Sequence, residues 1–495
     1  MIKNNQMSRA VLWLGFILLT VGLASFAPPK KQPNILFILT DDLGYHDLGF
    51  TGSKIYQTPN IDRLAGEGLS FGQAFSSYPR CVPSRYGLLT GTYPVNEDNG
   101  FLAGIPAEQN FIKQFTAAGY NAYYVGKWHL GIDNCSPKGF GFTDSYAAGE
   151  SGATGSRFYP FNVLKKNSGE PKPIEDVEKD GKTGDYLSDL LTGRTMQFIR
   201  DNGRDKPFLA VLAYYAVHTP LEAKPEDRER NAKEIAAFDY GDTPEYLPEG
   251  TGRRKMRQDH PDYAGMVENV DYNVGRLLDL LRELKIDDNT IVVFSSDHGG
   301  LSNDGTRKRE LATTNFPLRA GKGHLYEGGI RVPLILHWNK KIKPCADPDN
   351  IILGMDVFPT LLEMATGKKV SGIDGRSYVP VLKGKENWRN RTVFWHEDKA
   401  RPNSTGDTKC SVIRSGDYKL LQFYKEDRIE LYNVKTDVSE ADNLAQTDPE
   451  RAKTMLKELK DWKKSYLIPE KMDMKKNARN QGKMQQSAGD EDEND

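Results

Sequence analysis

Cysteine, tryptophan and a surplus of either charge are what this chain has least of. Four cysteines in 495 residues exclude a disulfide scaffold and a four-thiolate zinc ribbon of conventional spacing. Lysine and arginine number 67 against 68 aspartates and glutamates. That balance argues against nucleic acid as a partner, because proteins that neutralise phosphate carry a basic excess. No internal repeat is visible, so solenoids and propellers are set aside. Long apolar runs are scarce too. The longest lies between Ala10 and Leu23, behind Lys3 and Arg9, and ends in Ala24-Ser25-Phe26-Ala27. A basic start, a short apolar segment and a small-x-small ending describe a signal peptide over 1–27, cleaved near Ala27. With Thr20 and two glycines inside it, the segment is short for a span of about 20 residues. The expectation is an exported protein, periplasmic or secreted, with no stable membrane insertion after cleavage.

What is present is a core. Apolar residues make up 38% and aromatics 10%, enough for a globular fold. Five apolar runs, Ile35–Leu39, Ala122–Val125, Phe208–Tyr215, Ile291–Ser295 and Val332–His337, read as strands buried on both faces. Between them, Tyr186–Arg200 carries Leu187, Leu190, Leu191 and Phe198 on one side. Val267, Val270, Val274, Leu277, Leu278, Leu281 and Leu284 make a longer helical stripe. Strands alternating with helices predict an α/β domain over 32–385, a large doubly wound and mostly parallel sheet flanked by helices. After Trp388 the pattern shortens. Val412–Arg414, Tyr418–Tyr424 and Glu430–Tyr432 predict an antiparallel meander followed by a helix at 449–466. This is a small C-terminal α+β subdomain with an antiparallel sheet, spanning 388–466. The segment 467–495 is polar and ends in Asp490-Glu491-Asp492-Glu493-Asn494-Asp495, the composition of a disordered charged tail.

In open α/β sheets ligands bind at the carboxyl ends of strands. The first run ends in Thr40-Asp41-Asp42, the second leads into Gly126-Lys127-Trp128-His129, the third into Val217-His218-Thr219, the fourth into Ser296-Asp297-His298. An Asp-Asp pair after a strand is, in isolation, a turn and helix cap. Asp41, Asp42 and Asp297 on one edge would repel unless a cation lay among them. Hard oxygen ligands favour Ca²⁺ or Mg²⁺. The segment Ser77–Gly91 adds Cys81-Val82-Pro83-Ser84-Arg85. Pro83 marks a helix start, placing Cys81 at the positive end of that helix beside Arg85. By physics alone this is either a low-pKa nucleophilic thiol or a buried structural cysteine.

Cys81-Val82-Pro83-Ser84-Arg85 followed by Leu89-Thr90-Gly91 resembles the signature of the type I, formylglycine-dependent sulfatases, within the alkaline phosphatase-like superfamily. Asn34–Asp42 is similar to the family's opening strand, Gly126–Gly131 to its Lys-x-His element and His218-Thr219-Pro220 to its isolated histidine. Pro317–Lys322 with Glu327–Pro333 resembles its late lysine motif. Asp356–Leu362 and Glu430–Asn433 match its connection and closing subdomain.

The resemblance implies an exported sulfuric ester hydrolase acting on a sulfated carbohydrate. Cys81 would be oxidised to formylglycine by a separate maturation enzyme, and the hydrated aldehyde would be the nucleophile. A sulfated serine needs a second attack at sulfur, whereas a sulfated geminal diol collapses and expels sulfate. Asp41, Asp42, Asp297, His298 and the oxidised Cys81 would ligate Ca²⁺, preferred to Mg²⁺. Arg85, Lys127 and Lys322 would bind the sulfate oxygens, His129 would take a proton from the diol, and His218, assisted by Lys322, would protonate the leaving alcohol. Many sulfatases carry Asp-Asn where this chain has Asp297-His298, so His298 is either a ligand or a group orienting Asp297. His46 and His324 lie beside motif residues, where an exposed loop is the simpler reading. Cys135, Cys345 and Cys410 allow at most one disulfide. Arg253-Arg254-Lys255-Met256-Arg257 and Arg307-Lys308-Arg309 suit a multiply sulfated substrate or are solvated loop charge. The competing functions are a phosphodiesterase or phosphonate hydrolase of the same superfamily and a silent calcium-dependent glycan-binding protein.

Overall fold

Runs that are apolar at every position bury both faces, so they belong inside a sheet covered on two sides. The computed structural model, which describes residues 31–95, 102, 105–162, 174–203, 206–425 and 427–468, shows that arrangement. Strands β1 (Asn34–Thr40), β2 (Leu69–Phe71), β3 (Asn121–Gly126), β4 (Asp144–Tyr146), β5 (Phe208–Ala213), β6 (Thr290–Ser296), β7 (Leu334–Trp338) and β8 (Cys345–Asp347) form one eight-stranded sheet. Its order is β8-β2-β7-β6-β1-β5-β3-β4. The block β6-β1-β5-β3-β4 is parallel throughout. β7 runs against both its neighbours. The fifth apolar run is therefore the antiparallel member of a mostly parallel sheet, because unbroken hydrophobicity reports burial and not direction.

Both faces carry helices. Leu36 and Ile38 of β1 share a core with Leu187, Leu191 and Ile199 of α2 (Leu187–Asn202) and with Val267, Val270, Val274 and Leu277 of α3 (Pro261–Glu283). Ile35, Phe37 and Leu39 point the other way, as alternation along a strand requires. They meet Leu88 and Leu89 of α1 (Cys81–Thr90) and Phe358, Leu361 and Leu362 of α4 (Val357–Thr366). The sheet is thus doubly wound.

A separate four-stranded antiparallel sheet follows, made of β9 (Thr392–Glu397), β10 (Cys410–Ser415), β11 (Tyr418–Phe423) and β12 (Arg428–Asn433). β9 adds a strand to the expected meander. Trp395, Val412 and Leu421 face the main body through Phe75, Ile330 and Met355. Ile413, Leu420 and Leu431 face α5 (Pro449–Ser465) through Met455, Leu459 and Trp462. A division into units at 32–385 and 388–466 is our proposal. The leader expected at 1–27, and all but the first two residues of the tail expected at 467–495, lie outside the described residues. Among the described residues no helix is long and apolar enough to cross a membrane.

Candidate active site

The parallel ladder continues past the strand ends. Asp41 N–H donates to Ala216 O at 3.0 Å, Val217 N–H to Asp41 O at 2.7 Å and Asp297 N–H to Thr40 O at 3.1 Å. Three loops are thereby locked side by side at one edge of the sheet. α1 begins at Cys81 itself, with Arg80 as its extended N-cap, two residues earlier than Pro83 suggested. The thiol sits in the first turn and Arg85 one turn later, on the same face.

These segments converge on one buried point. The Cys81 thiol donates to Asp41 Oδ1 at 3.4 Å, and its Sγ lies 3.2 Å from His298 Nε2 and 3.4 Å from Lys127 Nζ. One ligand atom from each of Asp41, Asp42, Cys81 and His298 falls within 4.8 Å of the others, all four residues being buried. His298 Nδ1 faces Gly299 O at 3.0 Å. That contact calls for a proton on Nδ1, and Nε2 lies 3.3 Å from Asp42 Oδ1. Asp297 adjoins the four, with Oδ1 3.6 Å from His298 Nε2, while Oδ2 is held by Arg85 at 3.0 Å.

The three cations pair with the three carboxylates, and Arg85 also reaches Asp41 Oδ1 at 3.7 Å. Lys127 Nζ is 2.7 Å from Asp41, Lys322 Nζ 3.1 Å from Asp42, and Arg85 pairs with Asp297. Burial would push these carboxyls up, but the cations prevail. Asp41 and Asp42 are held below the usual carboxylate range, chiefly by Lys127 and Lys322 respectively, and Asp297 falls to about 2 through His298 and Arg85. Three positive and three negative side chains cancel. A divalent cation would leave this cluster with two positive charges for an incoming anion.

The thiol does not behave as helix position suggested. Burial, and then Asp41, push Cys81 well above an ordinary thiol pKa, against Lys127 and Lys322. Arg85, expected to acidify it, is committed to Asp297. Unmodified Cys81 is a protonated thiol and a poor nucleophile. His218 is buried, with Nδ1 2.8 Å from Thr219 O and Nε2 3.9 Å from Asp42 Oδ2. Burial, followed by Lys322, lowers its pKa to about 4. The ring is therefore neutral at rest, and an acid role requires the negative charge of a bound ester to draw a proton onto it. His129 is half-buried; its backbone N–H donates to Gly149 O at 3.3 Å and its ring lies against Gly152.

Other expectations change. His324 is buried and bonds Thr405 O at 2.9 Å, and half-buried His46 bonds Thr51 O, so neither lies on a freely exposed loop. All four cysteines are free thiols. Three of the four cations in the first basic run are neutralised locally, Arg253 by Asp304 at 3.1 Å, Arg254 by Glu249 at 3.6 Å and Lys255 by Asp259 at 2.6 Å, and Arg257 binds Thr243 O. Three site contacts carried no sequence signal. Ser84 Oγ donates to Asp297 O, Tyr263 OH donates to Asp42 O at 3.3 Å, and the Arg157 guanidinium bonds the carbonyl of His218. All three end on backbone carbonyls of site residues, and main-chain acceptors leave no trace in residue type.

Comparison with known proteins agrees with this geometry. The profile of the family described as "Sulfatase" matches residues 33–368, and that described as "N-sulphoglucosamine sulphohydrolase, C-terminal" matches 320–465. A "Sulfatase" of Formosa agariphila is 29% identical, covering 90% of this chain and 91% of its own. The N-acetylgalactosamine-6-sulfatase of Canis lupus familiaris is 30% identical over 81% of this chain and 74% of its own. The crystal structure of Ps i-CgsB in complex with k-i-k-neocarrahexaose superposes with a TM-score of 0.72 at 29% identity, covering 91% of this chain and 97% of that one. With a buried carboxylate, cation and cysteine cluster at the strand ends and a family match over most of its length, the chain belongs to the sulfatase family and is a sulfuric ester hydrolase.

Proposed function

We propose that this sulfatase removes sulfate from a sulfated carbohydrate outside the cytoplasm, through Cys81 oxidised to formylglycine and a Ca²⁺ ion. One observation carries the reading: Cys81 Sγ lies within 3.4 Å of Asp41, Lys127 and His298 in a buried cluster. In the mature side chain an oxygen would stand where Sγ stands now. The donor set fits a metal, since four ligand atoms already converge and Asp297 adjoins them. Mg²⁺ demands near-octahedral geometry and keeps several waters, so a crowded protein-lined set suits Ca²⁺. When bound, the ion supplies Lewis acidity at a sulfate oxygen and the formyl group supplies a hydrated-aldehyde nucleophile.

The chain's own residues do the rest. Arg85, Lys127 and Lys322 bind the non-bridging oxygens and stabilise charge as the ester sulfur is attacked. His218 delivers a proton from Nε2 to the bridging oxygen as the S–O bond breaks, giving the free alcohol. His129 accepts a proton in the later release of sulfate. A carbohydrate substrate is supported by the oligosaccharide bound to Ps i-CgsB and by the hexosamine sulfatase among the relatives. Export is supported by the leader-like residues 1–27.

The test is mass spectrometry of the Cys81 peptide from cells that also express a formylglycine-generating enzyme. The expected peptide is about 18 Da lighter than the cysteine form. That preparation should release inorganic sulfate from a panel of position-defined sulfated sugars and turn over phosphodiesters far more slowly. Chelation should abolish release, and Ca²⁺ should restore it better than Mg²⁺. Matured protein that releases no sulfate, or prefers phosphodiesters, would overturn the proposal.

A further inference from the structure

The segment that leaves edge strand β4 contains a buried cation that no role above absorbs. Arg157 is 1% exposed. Its Nη1 donates to Thr154 Oγ1 at 2.9 Å, and its Nη2 donates to three backbone carbonyls, Tyr215 at 3.1 Å, Thr219 at 3.0 Å and His218 itself. Among the described residues no carboxylate lies within salt-bridge distance of this guanidinium. Glu222 binds the Arg157 backbone N–H at 2.8 Å instead. Burying a charge without a counter-ion is costly, and the compensation here comes from charge-assisted bonds to the loop that presents His218. A structural staple would be served equally well by a neutral donor. A planar fork that spans several carbonyls at once fixes orientation.

The same segment reaches the other histidine. Gly149 O accepts the His129 backbone N–H, and Gly152 lies so close to the His129 ring that a Cβ there would come within 2.3 Å of it. Tyr215 OH closes the circuit by donating to Ala147 O at 3.0 Å. We infer that residues 147–157 are the positioning element for proton transfer, with Arg157 setting His218 and the absent side chain at Gly152 leaving room for His129. This rests on His218 acting as the acid and His129 as the base in the proposed reaction.

The two halves act at different steps, so they separate kinetically. Bond breaking to a poor leaving group needs the proton from His218, whereas sulfate release follows departure of the alcohol. Matured Arg157→Gln should lose about 10- to 100-fold in kcat/KM on alkyl and sugar sulfates, the size expected for a misplaced catalytic group. On aryl sulfates with good leaving groups it should lose less than about threefold, because these need no protonation. Added to His218→Ala, it should cost nothing further. Arg157→Lys keeps the charge but not the fork, and serves as the second variant should Arg157→Gln not fold. Gly152→Ala should slow sulfate release from the intermediate that both classes share, so kcat should fall most on aryl sulfates, whose bond breaking is fast.

If His218→Ala slows both classes equally, the acid assignment fails and the positioning role falls with it. If His218→Ala is selective and folded Arg157→Gln or Arg157→Lys is not, the positioning role alone is overturned. Gly152→Ala with unchanged kcat on aryl sulfates overturns the seating of His129.

Discussion

Two buried charge clusters in this molecule look alike in composition and differ in what they leave unused. Beside the C-terminal sheet, Glu327 meets Lys419 at 3.2 Å, Arg414 at 3.3 Å and Arg331 at 3.7 Å, while Lys419 also binds Glu440 at 2.9 Å. Glu440 accepts the Glu327 N–H at 2.6 Å. These bonds tie the segment after Lys322 to β10 and β11, and each charge is spent on its neighbour. At the strand ends, burial and pairing are as complete, yet ligand atoms from four residues also point at one another, and among the described residues His218 Nε2 has no hydrogen-bond partner. Burial and charge do not distinguish a site from a joint. Convergent, unsaturated donor atoms do.

Perturbing each cluster should expose that difference, and the largest effect belongs to the thiol. Cys81→Ala should lower sulfate release by about 10⁴-fold or more, as loss of a nucleophile does, while its melting temperature stays near that of the parent. Retained turnover would break the comparison on the catalytic side. His218→Ala should cost about 10²–10⁴-fold on sugar sulfates, measured as kcat/KM beside an aryl sulfate. Glu327→Gln should do the reverse. Removing one partner of a buried charge network costs about 3–5 kcal/mol, read by urea unfolding, with kcat of the folded protein preserved.

The joint also has a signed pH dependence. Burial raises the Glu327 pKa, but Lys419, Arg414 and Arg331 bring it below the ordinary glutamate value. A depressed carboxylate stabilises the fold above its unfolded pKa and loses that contribution as pH falls through the folded value. The stability gap between parent and Glu327→Gln should therefore be full at neutral pH and shrink as the medium is acidified below about 4.3. A gap independent of pH would show that packing, not charge, holds the joint.

Much of this was legible from residue order. Asp41, Asp42, Lys127, His218 and Asp297 each follow an apolar run, and a parallel sheet delivers such endings to one edge. Other features carry no signal along the chain. The direction of β7 is set by its partners, and β2 and β8, three residues each, are too short for a periodic pattern. Residue order left the state of the Cys81 thiol open, because helix position favours the thiolate while burial and Asp41, which appear only on folding, oppose it. Arg157 escaped because its principal partners are carbonyls, identical at every residue. His324 looked like loop and is buried because Thr405, from the C-terminal subdomain, closes over it.

The register of β1 between β5 and β6, with Leu39 opposite Ala213 and Thr40 opposite Ser296, acts as a vernier for the chemistry beyond it. Sliding β1 by one residue would displace both aspartates by about 3.3 Å and turn each to the opposite side of the sheet. Neither could then reach the thiol or the imidazole, even with every functional side chain still encoded. Single-residue deletions or insertions within 34–40 should accordingly silence the enzyme as completely as loss of its nucleophile, although no atom of the site would have been altered.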